Sequence, residues 1–379
     1  MESLAVLGVT GSIGRQTLAV ADQLEMTVTG IAARRPSDEL LEIAKRYPAA
    51  DVAVADNGKA RDGFVEQLGS RLVGFGPEAL IAMASHPGQI VMNAIVGVAG
   101  LPVTLAAAEA GNRLALANKE SMVVAGVLVK EAVARGGGEL IPVDSEHSAI
   151  FQCLVGEPPP AKIVLTASGG PFRGMKRPAL AEVTPQQALR HPNWDMGQRV
   201  TIDSATLANK ALEVLEASAL FELGLDQVEV VIHPESAIHS LVVFSDGSMK
   251  AQLGPADMRL PIAYAFTYPN RAKSIVSELT LAGASFHFEE PDLETFPTLA
   301  LGYAAGRAGG TSPAVFNAAD EVAVDAFLNG QLDFLGIAQV IEHTLGEVEN
   351  QPVTSLADVQ LADQQARRIA STCIGNLLR

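Results

Sequence analysis

The sequence predicts an α/β protein in three parts: a Rossmann-like, doubly wound N-terminal sheet, a central α/β domain carrying the catalytic groups, and a small C-terminal α-helical domain. Three observations predict it. Short apolar runs of the buried parallel-strand kind alternate with helical stretches up to residue 144. A glycine-rich turn, Gly8-Val9-Thr10-Gly11-Ser12-Ile13-Gly14, follows the first of those runs and opens a helix. From Gly306 onward the apolar spacing is helical throughout. The expected boundaries are 1–144, 145–279 with a lid loop at about 168–198, a linker at 280–305, and 306–379.

Composition narrows the class. The chain has 379 residues, enough for two or three domains with sizeable cores. The formal charge of −16, from 27 basic and 43 acidic residues, argues against nucleic acid or an anionic membrane as a partner. Any phosphorylated ligand must therefore be held by local cations. Cys153 and Cys373 are too few for a disulfide framework or a thiolate metal site. The longest weakly polar run, 94–108, is shorter than a membrane span and is interrupted by Gly97, Gly100 and Pro102. A strand pattern begins at Ser3 with no targeting segment before it, so the expected location is the cytoplasm.

In the first part, strand-like runs fall at 4–7, 27–33, 52–55, 90–94, 114–117 and 140–143. The glycines allow a backbone to approach a pyrophosphate, and the helix that follows offers free N–H groups. The spacing is GxxGxxG, which also serves a plain tight β–α connection. The second run ends in Arg34-Arg35, where a ribose-binding acid is usual for NAD. Two arginines there suit a 2′-phosphate, hence NADPH, or else a solvated basic turn. Ligands bind at the carboxyl ends of strands in such sheets. Two polar clusters sit there, Asn118-Lys119-Glu120 and Asp144-Ser145-Glu146-His147. Asp144 and Glu146 are equally the acidic first turn of a helix or two oxygen donors for a hard cation such as Mg²⁺ or Mn²⁺. With no HExxH and no His/Cys cluster, zinc is not indicated.

The middle of the chain carries the densest set of functional side chains. A strand at 163–166 ends in Ala167-Ser168-Gly169-Gly170, a turn that can serve as an anion nest. The loop His191-Pro192-Asn193-Trp194-Asp195-Met196-Gly197 holds the only tryptophan. Gly169, Gly170, Gly174 and Gly197 could hinge it as a lid. A short β-like run at 199–202 then leads to Asp203-Ser204 as a helix N-cap, with the helix running to about residue 219. Thr206, Asn209, Glu213 and Glu216 would share one face of that helix, flanked by Lys210. A mostly buried helix with one salt-bridged stripe gives the same pattern. Further strands are expected at 228–232, 241–244 and 248–253, with His233-Pro234-Glu235-Ser236 after the first. In the C-terminal helices Asn317, Asp320 and Glu321 read as solvated.

Taken together, GVTGSIG (8–14), LANKES (116–121), PVDSEHSAIFQ (142–152), TASGGPFR (166–173), HPNWDMG (191–197), IDSATLANKALEVLEA (202–217) and IHPESAIHS (232–240) resemble the 1-deoxy-D-xylulose 5-phosphate reductoisomerase family over nearly the whole chain. The resemblance implies conversion of a small phosphorylated sugar, 1-deoxy-D-xylulose 5-phosphate, into 2-C-methyl-D-erythritol 4-phosphate for non-mevalonate isoprenoid synthesis. Carbon–carbon cleavage and re-formation would be followed by NADPH reduction. It implies a cation, Mg²⁺ or Mn²⁺ with Co²⁺ as a third candidate, held by Asp144, Glu146 and Glu213, with Glu216 assisting. Lys119, Ser145 and Glu146 would meet the substrate oxygens. Ser168, Ser204, Asn209 and Lys210 would hold the phosphate, with His191 and His233 near it or near the backbone, and Trp194 would close over the sugar. Thr10, Gly11, Ser12, Ile13 and Gly14 would carry the cofactor pyrophosphate, with Arg34, Arg35, Asn118, Glu120 and Gly197 also on the cofactor side. It implies a homodimer. At Ala33-Arg34-Arg35 the chain departs from the Gly-x-Asn turn usual in the family. Two other readings remain from the residues themselves: a simple NADP-dependent dehydrogenase, which needs no carboxylate set, and a non-catalytic NADPH sensor, which needs no Trp194 lid.

Overall fold

A computed structural model describes residues 3–56, 61–194, 196–273 and 275–377, so Asp195 of the tryptophan loop lies outside the described residues. The chain divides into two compact units. The first comprises Met1–Ser121, Val129–Ser148 and Asp257–Ser277, and the second Met122–Leu128, Ala149–Ala256 and Glu278–Arg379.

The first unit is built on seven parallel strands: β1 Ser3–Leu7, β2 Thr27–Ala33, β3 Asp51–Val54, β4 Leu72–Phe75, β5 Gln89–Asn93, β6 Arg113–Leu116 and β7 Glu139–Pro142. Their order, β4-β3-β2-β1-β5-β6-β7, reverses direction at β1. That reversal makes the carboxyl ends of β1 and β5 the switch point where a ligand fits. Leu4, Ala5, Val6 and Leu7 have no exposed surface, as befits a central strand covered on both faces. β4 was not expected, because Val73 is exposed and Gly74 interrupts the run. The helix Arg259–Thr267 returns from late in the chain to pack on the helix Ser12–Gln23, and Arg113 Nη1 donates to its Phe266 carbonyl at 3.1 Å.

The turn after β1 requires its glycines. Gly8 has φ +93°, and a Cβ there would lie 2.4 Å from the Ala94 carbonyl oxygen. A Cβ on Gly14 would lie 2.3 Å from the Gly8 carbonyl oxygen. The turn thus folds onto β5 and onto its own helix with no room for side chains.

The second unit has a four-stranded sheet, β11-β10-β8-β9. β8 Lys162–Ala167 and β9 Val228–Ile232 are parallel, while β10 Ile238–Val243 and β11 Met249–Leu253 run antiparallel. Its longer helices are Gln198–Thr206, Ala208–Phe221, Thr298–Ala308, Ser312–Leu328, Phe334–Glu347 and Leu356–Leu377, with two short ones at Arg177–Leu180 and Pro185–Ala188. The stretch expected as a bare linker holds more structure than that. Glu289 bridges Ile232, and the helix Thr298–Ala308 packs on Ala208–Phe221. The approach is so close that a Cβ on Gly302 would sit 2.4 Å from that of Ala211. Small residues give this helix its contact, so it lacks the large apolar stripe by which a helix is recognised.

Two expectations fail here. The β-like run at 199–202 is the middle of the helix Gln198–Thr206, and Asp203-Ser204 lies in its last turn rather than at an N-cap. The break comes at Leu207, with φ +64°, before a second helix begins at Ala208. Thr206 supports the break: its hydroxyl reaches back to the Ile202 and Asp203 carbonyls and accepts from the Ala208 amide. Thr206 therefore does not share a continuous helical face with Asn209, Glu213 and Glu216.

The second failure concerns Asn317, Asp320 and Glu321, which are not solvated. Asn317 and Asp320 have no exposed surface and Glu321 is largely buried. Arg199 Nη1 pairs with Glu321 Oε1 at 2.9 Å, Nη2 lies 3.6 Å from Asp320 Oδ2, and Nε lies 3.6 Å from Asp203 Oδ2. Glu321 Oε2 also accepts from Arg367 Nη2 at 2.5 Å, and Arg367 is forked onto Asp363. Four carboxylates thus share two guanidiniums, and the excess negative charge must be relieved. Burial raises Asp320 to about 6, with the Glu321 charge adding to the rise against the pull of Arg199. Burial would raise Glu321 as well, but Arg199 and Arg367 outweigh it and hold Glu321 low.

A carboxyl raised in the folded state stabilises fully below its unfolded pKa, and that contribution is lost as pH rises through the folded value. Asp320 thus costs the fold stability on going from pH 5 to pH 8, on the order of 1 kcal/mol for a shift of this size. Asp320→Asn mimics the protonated form. Its melting temperature is expected to exceed that of the wild type increasingly as pH rises over that range. A difference that stays flat with pH would show that Asp320 does not hold the proton.

Candidate active site

In the first unit, the helix Ser12–Gln23 starts at Gly11 with no side-chain cap and no acid in its first turn. Its first turn therefore presents uncapped backbone at Thr10, Ser12 and Ile13 to an anion, while the Gly11 amide closes the turn on the Gly8 carbonyl at 3.0 Å. Arg34 and Arg35 follow β2, and both guanidiniums are exposed. Their Nε atoms lie 3.4 and 3.5 Å from the same oxygen of Asp56, after β3. Asp56 was missed in the sequence because its position relative to the arginines depends on which strands pair.

Asn118 and Glu120 are buried and act on backbone. The Asn118 amide donates to the Ile95 and Gly97 carbonyls at 2.7 and 2.9 Å and to Glu120 Oε2 at 2.8 Å. Glu120 Oε1 accepts from the Gly97 amide at 2.7 Å. Asn118 Oδ1 also caps the helix Lys119–Gly136 by accepting from the Ser121 amide. The pair ties the loop after β5 to the start of that helix. Lys119, between them, directs its Nζ to Asp144 Oδ2 at 2.5 Å, and both side chains are about nine-tenths buried. Asp144 opens the helix Ser145–Leu154, its carbonyl accepting from the Ser148 amide. Ser145 Oγ donates to Glu146 Oε2 at 2.5 Å. Lys119, Asp144, Ser145 and Glu146 thus gather at the carboxyl ends of β6 and β7.

In the second unit the turn after β8, which carries Ser168, packs through Gly170 against the backbone of Ser204. Gly169 and Gly170 have φ +83° and +67°, and a Cβ on Gly170 would lie 2.8 Å from the Ser204 carbonyl oxygen. His191 has a defined tautomer. Its Nδ1 accepts from the Asn193 and Trp194 amides at 3.2 and 2.9 Å, so Nε2 carries the proton and donates to Ser168 Oγ at 3.0 Å. Burial holds the His191 imidazole below its usual value, which favours the neutral ring. Ser168 Oγ also accepts from the Gly170 amide, which leaves its own proton to donate outward. Trp194 is half-buried, its ring 6.1 Å from that of His239. Asn193 latches the loop to the Pro234 carbonyl and Ser236 Oγ, at 2.6 and 2.9 Å.

Gly197 is the N-cap of Gln198–Thr206 with φ −60°, so the freedom of glycine is not used there. His233 is fully buried. Its Nε2 accepts from the Ala237 and Ile238 amides, and Nδ1 faces the His287 carbonyl at 3.0 Å. It shapes the turn after β9 through the backbone. On Ala208–Phe221, Glu213 is almost wholly buried and accepts from Asn209 Nδ2 at 2.5 Å and from Lys210 Nζ. Glu216 is buried one turn further along.

Family models cover the chain in three stretches: 1-deoxy-D-xylulose 5-phosphate reductoisomerase over residues 4–126, its C-terminal domain over 140–221, and the DXP reductoisomerase C-terminal domain over 253–369. The chain belongs to the 1-deoxy-D-xylulose 5-phosphate reductoisomerase family. A reductoisomerase of Ralstonia nicotianae is 48% identical over 99% of this chain and 100% of its own length. That of Moorella thermoacetica is 49% identical over 97% of each. Among solved structures, the Zymomonas mobilis enzyme in complex with NADPH superposes with a TM-score of 0.90 at 41% identity, covering 98% of this chain and 99% of its own. A DOX-P reductoisomerase in complex with NADPH, fosmidomycin and magnesium superposes with a TM-score of 0.93 at 38% identity, covering 100% and 99%. The doubly wound sheet and helical C-terminal region expected from the sequence are the fold of this family.

The tautomer of His191 is directly measurable. Two-bond ¹H–¹⁵N correlation spectra are expected to show Nδ1 unprotonated and Nε2 protonated at pH 7, with protonation only below the usual histidine range. A ring that titrates at or above that range would contradict the bonding around Ser168.

Proposed function

We infer that the chain converts 1-deoxy-D-xylulose 5-phosphate into 2-C-methyl-D-erythritol 4-phosphate with NADPH and a divalent cation. Full-length membership of the reductoisomerase family carries the reading, at nearly half identity over almost the entire chain. The assignment of individual residues is our proposal, supported by the geometry within each unit.

The Gly8–Gly14 turn and the uncapped helix behind it suit a cofactor pyrophosphate, since the glycine cradle is one that a Cβ would fill. Arg34 and Arg35 are assigned to the 2′-phosphate. Asp144, Glu146 and Glu213 are assigned to the cation: an all-oxygen donor set without thiol or imidazole suits a hard ion. The bound ion supplies a Lewis acid for the substrate's neighbouring oxygens, and NADPH supplies the hydride.

The chain's own groups do the rest. Lys119 Nζ, poised on Asp144, donates to a substrate oxygen on which negative charge grows as the carbon–carbon bond breaks. Ser168 donates its hydroxyl proton to the phosphate, oriented by His191 Nε2–H and the Gly170 amide. Ser204, Asn209 and Lys210 complete the phosphate subsite, and Lys210 supplies the local cation that an acidic protein needs. Trp194 covers the sugar and keeps water from the aldehyde. His233 contributes by shaping the turn on which Asn193 latches. Assembly as a homodimer and a cytoplasmic location complete the reading; a monomer mass by light scattering would remove the first.

Glu213→Gln keeps size and hydrogen bonding but removes one charge from the cation set. Its kcat is expected to fall by about two orders of magnitude or more, with NADPH affinity nearly unchanged. Turnover of the ketose phosphate at the wild-type rate in saturating metal would end the assignment. For the cofactor, Arg34→Ala combined with Arg35→Ala is expected to weaken NADPH binding roughly tenfold while leaving NADH as it was. Equal losses for both cofactors would place the arginines elsewhere.

A further inference from the structure

We propose that Asp320 and Glu321 are positioning residues for the substrate site: through Arg199 they fix the first turn of the helix Gln198–Thr206, and with it the tryptophan loop before that turn and Ser204 at its end. The proposal rests on the reading of Ser168, His191, Trp194 and Ser204 as a substrate subsite and adds the device that holds it.

The geometry points there from both sides. Arg199 stands two residues after Gly197, the N-cap of the helix and the last residue of the loop. Gly197 is tied only to its own helix, its carbonyl accepting from the Thr201 amide and hydroxyl at 3.0 Å, and the space where its Cβ would project is open for 4 Å. The loop end is held instead from Arg199, whose guanidinium reaches Glu321 at 2.9 Å, Asn317 Oδ1 at 3.3 Å and Asp320 at 3.6 Å. Glu321 and Asn317 accept from it, Asp320 stands at ion-pair distance, and the three lie within about one turn of Ser312–Leu328. On its own helix Arg199 meets Asp203, the residue before Ser204, at 3.6 Å. Glu321 is itself fixed from the far side by Arg367, which is forked onto Asp363 of Leu356–Leu377. Arg199 thereby ties the loop end and the Ser204 turn to Ser312–Leu328, and Arg367 carries the tie on to Leu356–Leu377.

Stability does not explain the arrangement. Removing this many charges from water costs more than their pairing returns in most buried ion networks, and apolar side chains of similar volume commonly serve stability as well or better. Such a network does fix register: a guanidinium with two acceptors in set directions and a third carboxylate beside it admits one placement of its helix. Ser204 and His191 need that definition, because a displacement of about 1 Å is enough to spoil substrate positioning.

The test compares Glu321→Gln and Asp320→Asn with Phe327→Leu. The last is a core change in the same helix that lowers stability without touching Arg199. For each, melting temperature, KM and kcat for 1-deoxy-D-xylulose 5-phosphate, NADPH affinity and Trp194 emission are measured. Trp194 is the only tryptophan, so its emission reports the loop alone. Glu321→Gln is expected to raise KM on the order of tenfold, and to shift Trp194 emission and its response to the sugar phosphate, with NADPH affinity unchanged. Asp320→Asn, which keeps the size and is expected to fold at least as well as the wild type, should show the same effects more weakly. Phe327→Leu should lower the melting temperature and leave KM and Trp194 alone. Arg199→Lys, which keeps the charge but not the fork, should fall between Glu321→Gln and the wild type. Variants that lose stability while KM and Trp194 emission stay at wild-type values would overturn the proposal and leave the network a purely structural one. The subsite reading is judged separately, on the wild type: a Trp194 that ignores the sugar phosphate there removes the subsite itself, and the clamp with it.

Discussion

Three of the buried carboxylates in this protein are matched to specific donors, and the proposed site is arranged around that matching. Asp144 has Lys119, Glu213 has Asn209 and Lys210, and Glu321 has Arg199 and Arg367. In a chain of net charge −16 such matching cannot be left to a generally positive surface. Each pairing also dictates where a backbone segment must lie. Lys119 starts the helix after β6, so its bond to Asp144 sets that helix start against the end of β7. Lys210 and Asn209 flank Glu213 on the same turns, so one short helical stretch brings an anion-binding group and a carboxylate to the same place.

The break at Leu207 is the second constraint. A straight helix from Gln198 to Phe221 would carry Ser204 round the axis relative to Asn209 and Lys210 by the ordinary 100° per residue. The left-handed Leu207 resets that relation. A non-glycine residue with positive φ costs on the order of 1 kcal/mol or more. It persists here because Leu207 is buried and Thr206 accepts the Ala208 amide in place of the lost helical bond. The strain lies between two groups proposed to share one phosphate, where a reset of helix phase has a use.

Much of this was legible in the sequence. The glycine turn, six of the seven strands of the first sheet and the polar clusters at the ends of β6 and β7 follow from buried runs and the carboxyl-end rule, which are local signals. β4 escaped because an edge strand with an exposed valine and an internal glycine carries no burial pattern. The run 199–202 misled because β-branched Val200, Thr201 and Ile202 favour strands by propensity, while here tertiary packing and the Arg199 pairs select a helix. Asp320 and Glu321 misled for a related reason. A charged pair on a helix is usually solvated, and only the approach of Arg199, more than a hundred residues earlier, makes burial tolerable. What the sequence hides is which distant charges meet.

That also bears on how an acidic protein binds a phosphorylated sugar. Beyond about one Debye length the general negative field is screened by salt, whereas a buried lysine acts at short range in a low dielectric. Lys210 is 4% exposed, and its carboxylate partner belongs to the proposed cation set. A cation that took part of the Glu213 charge would loosen its hold on Lys210 and make the ammonium a better phosphate donor. The two halves of the substrate would then be bound interdependently, the oxygens at the cation and the phosphate at Lys210, through one carboxylate. Linkage requires the dependence to be mutual, so bound phosphate should favour the cation as much as the cation favours phosphate.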